Sequence, residues 1–219
     1  MAPLPTDVFL PDRLLHESIE KLQDIATLFY RRNLSLGTSS NYSILLRREP
    51  FALLVTASGK DKRRLKSSDF VIVDEAGKVV GGESGERASA ETALHTMLAQ
   101  RPNVGAVLHT HSVWGTLLSD LHAESGGFII EGYEMLKGLA GVATHEHREW
   151  VEIFANSQDI PALARQAERR LDDPERPPLH GFLLRNHGLY TWGRDVDEAR
   201  RHIEIFEFLF ETLVRRRSL

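Results

Sequence analysis

The 219-residue chain contains no cysteine, which excludes disulfides, a thiol nucleophile, thiolate-bound zinc and cysteine-held iron–sulfur clusters. No uninterrupted apolar stretch approaches the roughly eighteen residues of a membrane span. The N-terminal sequence, MAPLPTDVFLPD, lacks a basic segment followed by an apolar one, so a cytoplasmic location is expected. A strong charge of one sign is missing as well. The 27 Lys and Arg stand against 31 Asp and Glu, a net charge of −4, which gives no general field to draw in nucleic acid or an anionic membrane surface. What the chain does have is ten histidines, and without a thiolate any metal site must be built from these and carboxylates. The 42% apolar and 26% charged fractions are those of a globular protein. With no internal repeat and no low-complexity linker, residues 1–219 are expected to form a single domain.

Apolar residues at three- and four-residue intervals, Leu14, Leu15, Ile19, Leu22, Ile25, Ala26 and Phe29, predict an amphipathic helix after Asp12 that ends near Asn33. Strand-like runs follow at 42–46, 51–56 and 70–73, the last turned back by Glu75-Ala76-Gly77 into Val79-Val80. Helices are expected over 89–101, with Ser89 as a cap, over 113–121, over 159–171, and from 195 to about 216. Strands are expected at 105–108, 127–130, 181–184 and 189–192. Short hairpins mixed with helices do not give the strict alternation of a doubly wound parallel sheet. The order predicts an α/β fold with a mixed, mainly antiparallel sheet covered by helices.

The strongest chemical signal is His109-Thr110-His111 at the end of an apolar strand. Residues two apart on a strand point to one face, so both imidazoles project together, as two metal ligands must. His187, at a strand end in the turn Arg185-Asn186-His187-Gly188, is the best candidate for a third ligand. Three histidines with an open fourth position suit a catalytic rather than a structural zinc. His145 and His147 are also two apart, but Glu146, Arg148 and Glu149 around them predict an exposed pair. His16, His95, His122, His180 and His202 have no partner at useful spacing and read as structural or exposed.

The motifs GTSSNYS, LVTASGKDK, SAETALH, AVLHTHS, YEMLKG and LLRNHGLYTWG, in this order from about residue 13 to residue 214, resemble the class II aldolase/adducin family. YEMLKG with NHGLYTWG resembles in particular its methylthioribulose-1-phosphate dehydratase branch. The resemblance implies a three-layer αβα domain with one zinc ion at His109, His111 and His187. It further implies a lyase that removes water from 5-methylthioribulose 1-phosphate to give 2,3-diketo-5-methylthiopentyl 1-phosphate in methionine salvage, and a homotetramer with sites near subunit boundaries. The partner is then a small sugar phosphate, with no nucleic acid and no membrane. The alternative within the family is a class II sugar-phosphate aldolase or 4-epimerase like the fuculose-phosphate aldolases; adducin-like relatives without catalysis are a third.

By the same resemblance Glu134 stands where the fuculose-phosphate aldolases carry a catalytic tyrosine, which suits a carboxylate acid/base for a leaving hydroxyl. Glu91 matches a glutamate associated with metal and proton transfer, and its other reading is an acid in the first turn behind Ser89. The phosphate-facing positions carried over are Ser40, Asn41, Ser58, Gly59 and Ser89. Ser40 replaces a frequent glycine, and Ala90 replaces a serine whose hydroxyl is thereby missing. Lys60 and Lys62 are the nearby cations that can supply charge in its place.

Overall fold

A computed structural model describes residues 12–217; the segment 1–11 and residues 218–219 lie outside the described residues, and so does most of the N-terminal sequence read above for a leader. Five helices are described, α1 Asp12–Arg31, α2 Thr92–Gln100, α3 Val113–Leu121, α4 Ile160–Leu171 and α5 Val196–Arg217. The strands are β1 Asn41–Arg47, β2 Ala52–Thr56, β3 Phe70–Val73, β4 Val79–Gly82, β5 Ala106–Thr110, β6 Gly127–Ile130, β7 Glu149–Phe154, β8 Gly181–Leu184 and β9 Gly188–Gly193. No described helix is long and apolar enough to cross a membrane.

The nine strands form one sheet in the order β4-β3-β2-β1-β5-β9-β8-β7-β6. Every neighbouring pair is antiparallel except β7 with β8. That parallel pair is joined through α4, the kind of crossover a parallel connection requires. Because side chains alternate along a strand, an all-buried strand such as β2 feeds both faces. Leu54 joins the core under α1, α3 and α5, which contains Leu22, Phe29, Leu118, Phe206 and Phe210. Leu53 and Val55 join the core under α2 and α4, which contains Leu94, Leu98, Leu163 and Phe182. The result is the expected three-layer αβα arrangement around a mixed, mainly antiparallel sheet.

Two local differences have physical causes. Strand β7 was not anticipated, because Glu149 and Glu152 interrupt its apolar pattern. Both are buried in the structure, Glu152 bonded by Arg170, Arg176 and Trp150 and Glu149 by histidines. The second is at α2, which begins at Thr92, with Glu91 rather than Ser89 as its N-cap. Ser89 instead accepts from the Glu91 amide through its hydroxyl at 3.2 Å and from the Thr92 amide through its carbonyl at 3.0 Å, closing the preceding turn.

Candidate active site

Three central strands deliver the site to one end of the sheet. Antiparallel pairing sets Asn41 at the start of β1 opposite His109 near the end of β5, and His109 opposite Tyr190 on β9. His111 lies just beyond β5, where its amide donates to the Leu34 carbonyl at 2.8 Å. His187 sits in the turn between β8 and β9, its amide bonded to the Leu184 carbonyl at 3.1 Å. The three rings converge, with centroid separations of 4.6 Å for His109 and His111, 5.0 Å for His109 and His187, and 4.7 Å for His111 and His187. One nitrogen of each lies within 4.8 Å of those of the other two.

The turn can come this close only because residue 188 has no side chain. A Cβ there would stand 2.1 Å from the Thr110 carbonyl oxygen and 2.9 Å from His109 Cε1. The His109 ring is fully buried, stacked on Tyr190 at 4.0 Å with an interplanar angle of 14°. Its Nδ1 donates to the Leu189 carbonyl at 3.0 Å. This fixes the tautomer and leaves a lone pair on Nε2, as in a metal-ligating histidine whose other ring nitrogen is held by a backbone carbonyl. His109 Nε2, which faces Glu91 within the cluster, is buried without a hydrogen-bond partner, and a buried polar atom left unpaired is costly. A divalent ion bound by the three rings satisfies it. Burial also pushes His109 well below the usual imidazole range and His111 down to about 4, so these rings are neutral near pH 7, as ligands must be.

Glu91 completes the cluster. Its carboxylate makes no cap bond to α2 and lies 3.1 Å from His187 Nε2 and 3.7 Å from His109 Nε2. The Asn41 amide donates to Oε2, the oxygen that faces His109. Burial opposes ionisation of Glu91, but the bond with His187 and the adjacent imidazoles outweigh it and hold the carboxyl down at about 2.

Residues 20–214 match the sequence pattern of the Class II Aldolase and Adducin N-terminal domain. The chain belongs to the class II aldolase and adducin family. It is 50% identical over 184 residues to a methylthioribulose-1-phosphate dehydratase of Stenotrophomonas maltophilia, covering 84% of this chain and 83% of that one. It is 46% identical over 194 residues to the enzyme of the same name from Marinobacter nauticus, covering 88% and 90%. Among solved structures, an L-fuculose 1-phosphate aldolase matches with a TM-score of 0.75 at 23% identity, over 92% of this chain and 87% of that one. An aldolase II superfamily protein from Pseudomonas syringae matches with a TM-score of 0.77 at 20% identity, over 99% and 81%. Both likenesses show the class II aldolase fold.

The other residues singled out in the sequence fall into two groups. Near the cluster, the bridge between Ala57 and Ala88 and the bond from the Ser58 amide to the Arg87 carbonyl at 2.9 Å set the exposed Ser58-Gly59 turn beside the segment that carries Ser89 and Glu91. Ser40 is buried with φ +75, a left-handed conformation that glycine adopts most readily; its hydroxyl donates to the Leu34 carbonyl. The side-chain amide of Asn41, expected to face phosphate, also donates to Glu91. Lys60 is taken by Glu86 at 2.6 Å and Asp69 at 3.3 Å. Lys62 is 1% exposed, and its ammonium donates to backbone carbonyls, those of Lys60 at 2.9 Å and Thr38 at 3.5 Å. Burial pushes it down to about 8, the carboxylates of Asp61, Asp69 and Glu91 offsetting part of that.

Glu134 stands apart from the cluster. It opens the 3-10 turn Glu134–Gly138 after β6, its side chain 71% exposed and paired with Lys137 at 2.6 Å and His145 at 3.8 Å. Strand β6 ends where β7 begins, and β7 runs parallel to β8, so the turn emerges at the start of β8 whereas His187 follows its end. The histidine pair at 145 and 147 is split: His145 is exposed, but His147 is half-buried and bonded to Glu149 at 2.8 Å. Sequence reading missed the roles of Asn41, Gly188 and Tyr190, because strand pairing, not local pattern, brings them to His109.

Proposed function

We propose that this chain is a zinc-dependent methylthioribulose-1-phosphate dehydratase, acting in methionine salvage in the cytoplasm as a homo-oligomer, and that residues 1–219 are one domain. The relatives of that name at 44–50% identity over most of the chain carry the reading, and the convergence of the three rings with the buried, unpaired His109 Nε2 supports the metal. A divalent ion held by His109, His111 and His187 supplies a Lewis acid that polarises the substrate's C-2 carbonyl and acidifies its C-3 proton.

The chain's own groups then move the proton. Glu134, kept ionised by Lys137, takes the C-3 proton as a base. The resulting carboxylic acid gives that proton to the C-4 hydroxyl, which leaves as water, and the enol product becomes the diketone. Glu91, fixed by Asn41, balances the charge of the ion and holds the ligand set. Since Glu134 lies at the other end of β8 from the cluster in its own chain, we assign the encounter to a neighbouring copy. Val113, Leu117 and Leu121 form an exposed apolar stripe at four-residue spacing on α3, starting two residues from His111, and Met135 beside Glu134 is exposed as well. Apolar surface of this kind favours association, and it borders both halves of the proposed site.

The phosphate is read against Ser40, Asn41, Ser58, Gly59 and Ser89, with Lys62 as the cation, since small residues let backbone amides approach an anion and Lys62 has no carboxylate bonded to it. Charge-assisted hydrogen bonds contribute about 1.5–3 kcal/mol. Lys62→Met should therefore raise KM about 10- to 100-fold with metal content unchanged, and should weaken inhibition by inorganic phosphate in parallel; an unaltered KM removes Lys62 from the site. The activity itself is tested by incubating the metal-loaded protein with 5-methylthioribulose 1-phosphate. Appearance of the absorbing diketone or its enol is the expected outcome, and cleavage to a triose-sized fragment would establish the aldolase alternative instead.

A further inference from the structure

At the start of β8, away from the histidine cluster, two histidines grip one peptide unit. Ala140, two residues beyond the turn Glu134–Gly138, donates its amide to His202 Nε2 at 3.1 Å, and its carbonyl accepts from His180 Nε2 at 2.8 Å. The other His180 nitrogen faces both oxygens of Glu149, at 2.9 and 3.1 Å. A ring with an acceptor at each nitrogen needs a proton on each, so His180 is an imidazolium. His202 is the opposite case. Its Nδ1 donates to the Trp192 carbonyl at 2.8 Å, which leaves Nε2 to accept, and the ring is neutral.

The surroundings sustain this asymmetry. Glu149 is 1% exposed, and its other side-chain partner is His147. Glu198 and Arg201 of α5 are the remaining charges facing the two rings, which lie 5.5 Å apart. Burial opposes a charged His180, yet the bond and charge of Glu149 raise it above the ordinary imidazole range, whereas burial lowers His202 to about 4. His147, Glu149 and His180 lie close enough together to hold an ion. Unlike His109 and His187, however, neither ring is among those with an orphaned buried nitrogen, and short hydrogen bonds already occupy the space between them and Glu149.

The grip bears directly on the turn that carries Glu134. The Gly138 carbonyl accepts from Arg201 at 2.9 Å, and a Cβ at Gly138 would stand 2.3 Å from Ile205, so the C-terminal end of the turn is seated on α5 while Ala140 is held from two sides. Glu134 projects from the other end.

We propose that His180 and Glu149 are positioning residues for Glu134: the doubly protonated His180 ring fixes Ala140 and the turn before it, and loss of one ring proton loosens the turn and lowers turnover on the alkaline side. A neutral His180 has one N–H for two acceptors, so either the Ala140 carbonyl or the buried Glu149 carboxylate loses its donor. The inference rests on the assignment of Glu134 as the proton carrier.

The test combines ring titration with kinetics on the zinc-loaded full chain. In the unmodified protein, NMR of the His180 ring should show both nitrogens protonated at pH 7; a neutral ring there overturns the proposal without any variant. Glu149→Gln should shift the alkaline limb of the kcat profile to lower pH. His180→Gln should abolish that limb and lower kcat roughly 10- to 100-fold, the scale of a small misplacement of a reacting group, with KM and metal content unchanged. If both variants are folded and zinc-loaded but keep the unmodified kcat profile, the proposal is wrong. Glu134→Gln run beside them separates the two readings. Full activity in that variant removes the assignment of Glu134, whereas an inactive Glu134→Gln with unaffected His180 and Glu149 variants removes only the positioning role.

Discussion

His187→Ala should purify with little or no bound zinc and with its dehydratase activity lost. His187 supplies one of three rings whose nitrogens lie within 4.8 Å of one another, and its removal leaves two, too few for the ligand set of a catalytic zinc. A Lewis acid supplies several kcal/mol of charge stabilisation, and each ~1.4 kcal/mol is a factor of ten in rate, so kcat should fall by roughly a thousandfold or more. The fold should survive. The ring is partly exposed in a turn, and the two cores under the sheet do not include it. Metal analysis and circular dichroism on the same sample check both halves of the expectation, and full zinc occupancy in the variant would show that His187 is not a ligand.

Glu134→Gln should bind zinc and substrate as before but turn over about 10²- to 10⁴-fold more slowly, the usual contribution of a positioned acid/base. The exposed position of Glu134 keeps stability out of the comparison, since substitutions at such surface sites usually stay within about 0.5 kcal/mol. Its place in the fold gives a sharper test. If the glutamate serves the histidine cluster of a neighbouring copy, mixing inactive Glu134→Gln with inactive His187→Ala and allowing subunits to exchange should restore activity. Random assortment puts an intact pair at about one site in four. Silence from the mixture, with exchange demonstrated, would place the two groups in one chain and contradict the assignment made here.

Much of this architecture was legible in the sequence because its periodicities are clean. Helix α1 and helix α5 repeat at three and four residues, β2 and β5 are continuous apolar runs, and His109 and His111 announce a shared face by their spacing of two. Strand β7 was hidden because its glutamates are buried against Arg170, Arg176 and His180, 18 to 31 residues on, which no local pattern encodes. The same limit applies to Asn41, whose amide reads as a loop donor until β1 is paired with β5 and the side chain is found on Glu91. Glu134 could be found by its motif, but its separation from His187 follows from the parallel run of β7 and β8, a fact of topology.

The central pairing of β5 with β9 has a consequence for how the protein is made. The meander of β1 to β4 is built from neighbours in sequence, whereas β9 must return across everything from α3 to β8 before it can join β5. Translation proceeds at about 5–20 residues per second, so His109 and His111 leave the ribosome several seconds before His187. During that interval β5 has one bonded neighbour and an open edge, and its two histidines have no third ring to share an ion with. On the proposed ligand set, metal loading waits for β9, and a truncated product ending before His187 should neither retain zinc nor resist aggregation along that edge.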